Sequence, residues 1–116
     1  MAYDETLASR VQDRLARRSA YEERSMFGGL ALMVDGKMAI GISGTELMVR
    51  VGPEAHDEAL AQPGARPMDF TGRPMRGFVF VGPEGTRTAR DLDRWIDRAL
   101  AYNPIAPKSK GRSRRR

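Results

Sequence analysis

"MFGGLALMVDGKMAIGI", residues 26–42, decides the fold. It sets Gly28 and Gly29 side by side, then adds Gly36 and Gly41. A glycine-rich loop can cradle a phosphate, or it can turn a strand. A Walker loop needs a Gly-Lys-Ser/Thr ending that opens a helix. A dinucleotide fingerprint needs a strand before its glycines and a helix after them. Here the glycines run into "LALMV", whose alternation reads as a strand. Both phosphate motifs fail on context. Gly28-Gly29 therefore reads as a bulge or a bend between an extended "RSMF" segment and a hairpin.

The period of two continues outward to Val51. Leu30, Leu32 and Val34 alternate with Ala31 and Met33. Met38, Ile40 and Ile42 alternate with Ala39 and Gly41. Leu47, Val49 and Val51 alternate with Met48 and Arg50. These are three strands joined by turns at "VDGK" and "SGTE". A two-residue Gly44-Thr45 loop of type II′ pairs Ile42 with Leu47 and Ile40 with Val49, so the apolar sets share a face. A two-residue Asp35-Gly36 loop would instead set Met33 opposite Met38 and split those sets. A three-residue Val34-Asp35-Gly36 loop with a glycine bulge sets Leu32 opposite Met38 and is preferred.

Helices flank this sheet. Leu7, Ala8, Val11 and Leu15 mark one over about 4–19, with arginines 10, 14, 17 and 18 on its other faces. "PEAHDEALA" opens on Pro53 as a short helix, with His56 expected on its exposed side. Residues 68–70 form a short strand, "TGRPMRG" a loop, and "FVFV" a buried strand. Thr88 and Asp91 form a capping box for a last helix with the stripe Leu92, Trp95, Ile96, Ala99 and Leu100, stopped by Asn103-Pro104. The order helix, strands, short helix, strands, helix is α+β, an antiparallel sheet with helices packed on it.

The bulk composition narrows the function. A chain of 116 residues suits one domain, and 41% apolar residues can build its core. There is no cysteine, which excludes disulfides, thiolate metal sites and cysteine nucleophiles and fits a cytoplasmic location. The start "MAYDETLASR" has no signal-peptide character, and no apolar run approaches the roughly 20 residues of a membrane helix. The net charge of +5 belongs to the end: Lys108, Lys110, Arg112, Arg114, Arg115 and Arg116 follow the last acid, Asp97. We expect an ordered domain over residues 1–104 and a disordered basic tail over 105–116.

No catalytic, cofactor or metal set emerges. His56 is the single histidine and reads as solvated. Asp57 and Glu58 read as surface charges, and no zinc or EF-hand spacing occurs. An enzyme acting on a small phosphorylated substrate has only the glycines and scattered arginines behind it. The tail cations could contact nucleic-acid phosphates, extended through Arg14 and Arg18 on the first helix. Arg73 and Arg76 border Phe78 and Phe80, which could stack single-stranded bases but read more simply as core. The second sheet face, with Met33, Met48 and Arg50, meets either a helix or a partner. Arg73 and Arg76 could join that partner surface, and a homodimer is one way to cover it.

"SMFGGLALMVDGKMAIGISGTELMVRVGPE", "PGARPMDFTGRPMRGFVFV" and the helix containing "LDRWIDRAL" resemble the N-terminal domain of the TfoX/Sxy family. The similarity runs from about Asp4 to Tyr102. It implies a secretion-chaperone-like α+β fold, dimers, and a non-enzymatic regulatory or adaptor role. The best-known members regulate natural competence, with the cyclic-AMP receptor protein at competence promoters, and carry a second, C-terminal domain. Here a basic tail stands in that position, so the resemblance is to a stand-alone form. It carries over no catalytic, cofactor or ligand residue.

Overall fold

The computed structural model of the chain describes residues 3–26, 28–69 and 74–107. Asp4 caps helix α1 (Glu5–Ala16): its Oδ1 accepts the Thr6 and Leu7 N–H groups at 2.9 and 3.1 Å. Four strands follow: β1 (Glu22–Met26), β2 (Gly29–Val34), β3 (Lys37–Ser43) and β4 (Glu46–Arg50). Helix α2 (His56–Leu60) leads to β5 (Ala65–Asp69) and β6 (Pro74–Val81). A 3₁₀ turn at Pro83–Gly85 precedes α3 (Ala89–Tyr102), and a second at Asn103–Ile105 ends it. The expected capping box forms: Thr88 Oγ1 accepts the Asp91 N–H at 3.0 Å, and the Thr88 N–H donates to Asp91 Oδ2 at 3.4 Å.

All six strands lie in one sheet, order β1-β2-β3-β4-β6-β5, and every pairing is antiparallel. The fold is the α+β architecture read from the sequence. The β3–β4 register is also as expected: Ile42 faces Leu47, Ile40 faces Val49, and Gly44 opens the loop at φ 58°. Gly28, at φ 74°, turns β1 into β2, and a Cβ on Gly29 would overlap the Ile42 carbonyl oxygen. These glycines set backbone geometry.

The β2–β3 connection differs from expectation. Asp35 at φ 57° and Gly36 at φ 75° form a two-residue turn of type I′, and Met33 pairs with Met38. The three-residue loop is not formed. The split it was meant to avoid is repaired inside β3, because the register shifts between Leu32 and Met33 and leaves Ala39 as the extra residue of a bulge. Ala39 and Ile40 consequently both join the helix-side core, while Met38 goes to the opposite face. β1 is a full edge strand, and β6 begins at Pro74, inside the stretch read as a loop.

The helices share one face of the sheet. Leu7, Val11 and Leu15 of α1 and Leu92, Trp95, Ile96 and Ala99 of α3 pack on Leu32, Ile40, Ile42, Leu47, Val49, Val79 and Val81. Ala59 brings α2 into the same core. The other face holds Ala31, Met33, Met38, Met48, Met68 and Phe80, with Met75 and Phe78 against them.

Candidate functional site

The methionine face is already closed. Met33 is 2% exposed, Met48 0% and Met68 1%, although the buried residues of all three helices other than His56 belong to the opposite core. Gly41 shows how the long side chains settle. A Cβ there would come 2.6 Å from the Met48 methyl and 3.4 Å from the Met38 methyl, so both thioethers lie over the bare glycine. Met33 and Met48 were expected at a partner surface, and they are core instead.

The basic residues fall into two kinds. Arg14, expected to contact nucleic acid, grips Asp93 with two hydrogen bonds of 2.5 and 3.0 Å. Arg18, the other expected contact on α1, reaches Asp97 at 2.8 Å and Asp93 at 3.3 Å. The Arg14 guanidinium holds the Asp93 carboxyl below its usual range, with Arg18 adding to the effect, and Asp93 in turn raises Arg14. These arginines clamp α1 to α3, and their charge is met by carboxylates. Arg66 is also held, bidentate on Glu46 at 2.8 and 2.6 Å and 4.5 Å from the Phe80 ring centre. Arg76 is exposed and 3.6 Å from Asp57.

Arg50 is different. Its guanidinium carbon sits 5.3 Å from the Phe78 ring centre and 5.7 Å from that of Tyr102. Its Nη2 donates to the Pro107 carbonyl at 3.4 Å. Among the described residues it has no carboxylate within ion-pair distance. Past residue 104, Ala106 is buried, and the Pro107 carbonyl sits beside this stack. Arg73 and the tail cations Lys108, Lys110, Arg112, Arg114, Arg115 and Arg116 lie outside the described residues.

His56 corrects another expectation. It is 6% exposed, and its Nδ1 accepts the Gly77 N–H at 3.0 Å. The bond needs an unprotonated Nδ1 and satisfies a buried donor. The Gly77 carbonyl in turn accepts from Val51 and Gly52 N–H. His56 thus pins a kink in β6 at φ 93° and has a structural task. Among the described residues no three His, Asp or Glu side chains group as a metal site.

One apolar feature went unread in the sequence. A groove of about 510 Å³ runs between Val51, Gly52, Pro53 and Ala55 on one side and Ala101 and Tyr102 on the other. Gly52, at φ 90°, makes it possible, because a Cβ would collide with the Tyr102 ring. Ile105 stands on its lip, 76% exposed. The one available signal was a lone isoleucine just after Asn103-Pro104, where the helix pattern stops.

Among the described residues no helix is long and apolar enough to cross a membrane. No curated protein and no solved structure matches the chain. The model of the TfoX N-terminal domain matches residues 13–102, from within α1 to the last residue of α3. With well over half of the chain matched, it belongs to the TfoX N-terminal domain family, a family of regulatory domains not known to be enzymatic.

Proposed function

We propose that this chain is a non-enzymatic regulatory domain that acts by protein contact, beginning with a second copy of itself. The observation that carries this reading is Ile105, 76% exposed on the lip of the apolar groove. A two-fold axis places the same patch of each copy against the other. A knob beside a hole on one surface is what such an axis converts into mutual exchange, each Ile105 filling the other groove. Burying one isoleucine side chain contributes about 1.5–3 kcal/mol, so two give a weak dimer sensitive to concentration. The body of the protein does not oppose this. Apart from the six tail cations it carries 14 basic and 15 acidic residues.

In keeping with the competence regulators that the sequence resembles, the output of that contact is regulation of transcription in the cytoplasm. The tail leaves a sign on the self-association. Lys108 follows Ile105 by three residues, so exchange brings the starts of two cationic tails together. Salt screens that repulsion, and dimerisation therefore strengthens as ionic strength rises. Sedimentation equilibrium from micromolar to millimolar concentration tests the reading. The expected result is a monomer–dimer equilibrium that shifts towards monomer in Ile105→Glu. A monomer throughout, or a dimer indifferent to Ile105→Glu, would overturn it.

A further inference from the structure

We propose that the cleft where α1 and α3 begin binds a phosphate group, as the free ion or on a small ester. The cleft lies at the opposite end of α3 from the Ile105 groove, and the proposal does not depend on self-association. Its volume is about 270 Å³, and its polar lining is Asp4, Thr6, Arg10, Thr45, Thr86 and Arg87. Neither Gly28 nor Gly29 lines it.

The fold gathers these side chains from three segments. Arg10, Arg14 and Arg18 of α1 reach Thr86, Asp93 and Asp97 in that order. The two helices therefore run parallel and start side by side, which brings the positive ends of their dipoles together. The Asp4 N–H donates to the Gly44 carbonyl at 2.8 Å, which fastens the start of α1 to the β3–β4 turn and places Thr45 beside it.

Two observations besides the helix ends point to an anion. The first is where uncommitted charge collects. Among the described residues Arg10, Arg24, Arg50, Arg87, Arg90 and Arg94 have no carboxylate within 4.0 Å. Arg50 is covered by Phe78 and Tyr102, and Arg24 stands on the edge strand β1. Arg94 lines a different cleft together with Glu84 and Asp91. Arg10 and Arg87 share this one. Arg10 is also held in place: its Nη2 donates to the Thr86 carbonyl at 2.8 Å and to the Arg87 carbonyl at 3.3 Å. Its Nε and Nη1 hydrogens are left for a ligand. Asp4 brings one negative charge, and its Oδ1 already accepts the Thr6 and Leu7 N–H groups.

The second is a buried hydroxyl. Thr86 lines the cleft at 3% exposure, and its Oγ1 has no hydrogen-bond partner among the described residues. A buried polar group left unpaired costs free energy, so this hydroxyl calls for a partner inside the cleft. Thr6 and Thr45 add two exposed hydroxyls that are equally uncommitted. A flat carboxylate is satisfied by one arginine fork. Two guanidinium groups and three hydroxyls set around a cleft instead suit the oxygens of a tetrahedral anion.

Amide NMR of the full chain, titrated at constant pH and ionic strength, tests this. The probes are inorganic phosphate and, separately, glycerol 3-phosphate, against a sodium chloride background. Saturable shifts centred on Thr6, Thr45, Thr86 and Arg87 are expected, and the tighter probe tells whether the site takes the free ion or an ester. Arg87→Gln should weaken binding roughly tenfold, the worth of one charged hydrogen bond. Thr86→Val keeps the shape and removes the hydroxyl. It should weaken binding roughly threefold to tenfold while the ligand-free protein melts no lower than the parent, a pair of results that a purely structural threonine would not give. Arg94→Gln, which removes an uncommitted charge outside the cleft, should bind as the parent does. Melts of each variant report that it is folded. Any of four results would overturn the proposal: no saturable shift with either phosphate, shifts centred away from the cleft, Arg87→Gln or Thr86→Val binding as tightly as the parent, or Arg94→Gln weakened as much as Arg87→Gln.

Discussion

The two faces of the sheet are buried to a similar degree by different chemistry. The helix-side face is built from leucine, isoleucine and valine, shapes with few rotamers that interlock with α1 and α3. The other face is built from methionines around a glycine, with aromatics at its border. Methionine has three rotatable bonds and fills irregular space. One face is thus specified by the shape of the helices on it, and the other is filled by side chains that adapt to their surroundings. The self-association proposed above falls at the rim, where Ile105 stands exposed.

Substitutions can sharpen or break that contrast. The largest loss should come from Ile40→Ala, which empties space between β3 and the helices. We expect about 3–4 kcal/mol in chemical denaturation, within the range of buried isoleucine truncations. Met48→Leu, equally buried, should cost less than about 1.5 kcal/mol because its neighbours can re-pack. Equal losses at the two sites would break the contrast. Gly41→Ala should cost about 1–3 kcal/mol. Its Cβ meets not only the movable Met48 methyl but also the Leu30 carbonyl at 2.8 Å, which is backbone. A neutral Gly41→Ala would show that the methionine layer does not rest on the bare glycine.

Between the faces, His56→Ala leaves the Gly77 N–H buried and unpaired. A loss of about 1–3 kcal/mol is expected, measured by the same unfolding curves. The smallest effect belongs to the clamp between α1 and α3. Asp93 has its carboxyl held below the usual range, so its contribution is complete above that range and is lost as pH falls through the lowered value. Asp93→Asn should lower stability above the carboxylate range and flatten the acid side of the stability–pH profile, so that the two curves converge at low pH. An unchanged acid limb would mean that the Arg14–Asp93 pair contributes nothing measurable.

What was legible in the sequence follows from how local each cause is. The Gly44-Thr45 turn fixes the β3–β4 register within four residues, and Thr88 and Asp91 cap α3 from three residues apart. Both were readable. The bulge at Ala39 was not, because it is the sheet's way of reconciling a tight Asp35-Gly36 turn with a buried face, and nothing at Ala39 itself marks it. β1, "EERSM", has little apolar pattern and exists because β2 offers it an edge. His56 was misread because its partner, the Gly77 N–H, is 21 residues away. Arg14 and Arg18 looked available because their carboxylates lie on α3, 79 residues downstream of each bonded arginine. The groove needed Gly52 and Tyr102 to meet, which no local pattern announces.

The proposed self-association places contact at the Ile105 groove and not at the methionine face. Methyl-labelled NMR of the methionine and isoleucine side chains, followed from millimolar to micromolar dilution, addresses both at once. The Ile105 δ1 signal should shift with concentration, while Met33, Met38, Met48 and Met68 hold their positions. Methionine signals that move on dilution while Ile105 stays fixed would contradict the claim.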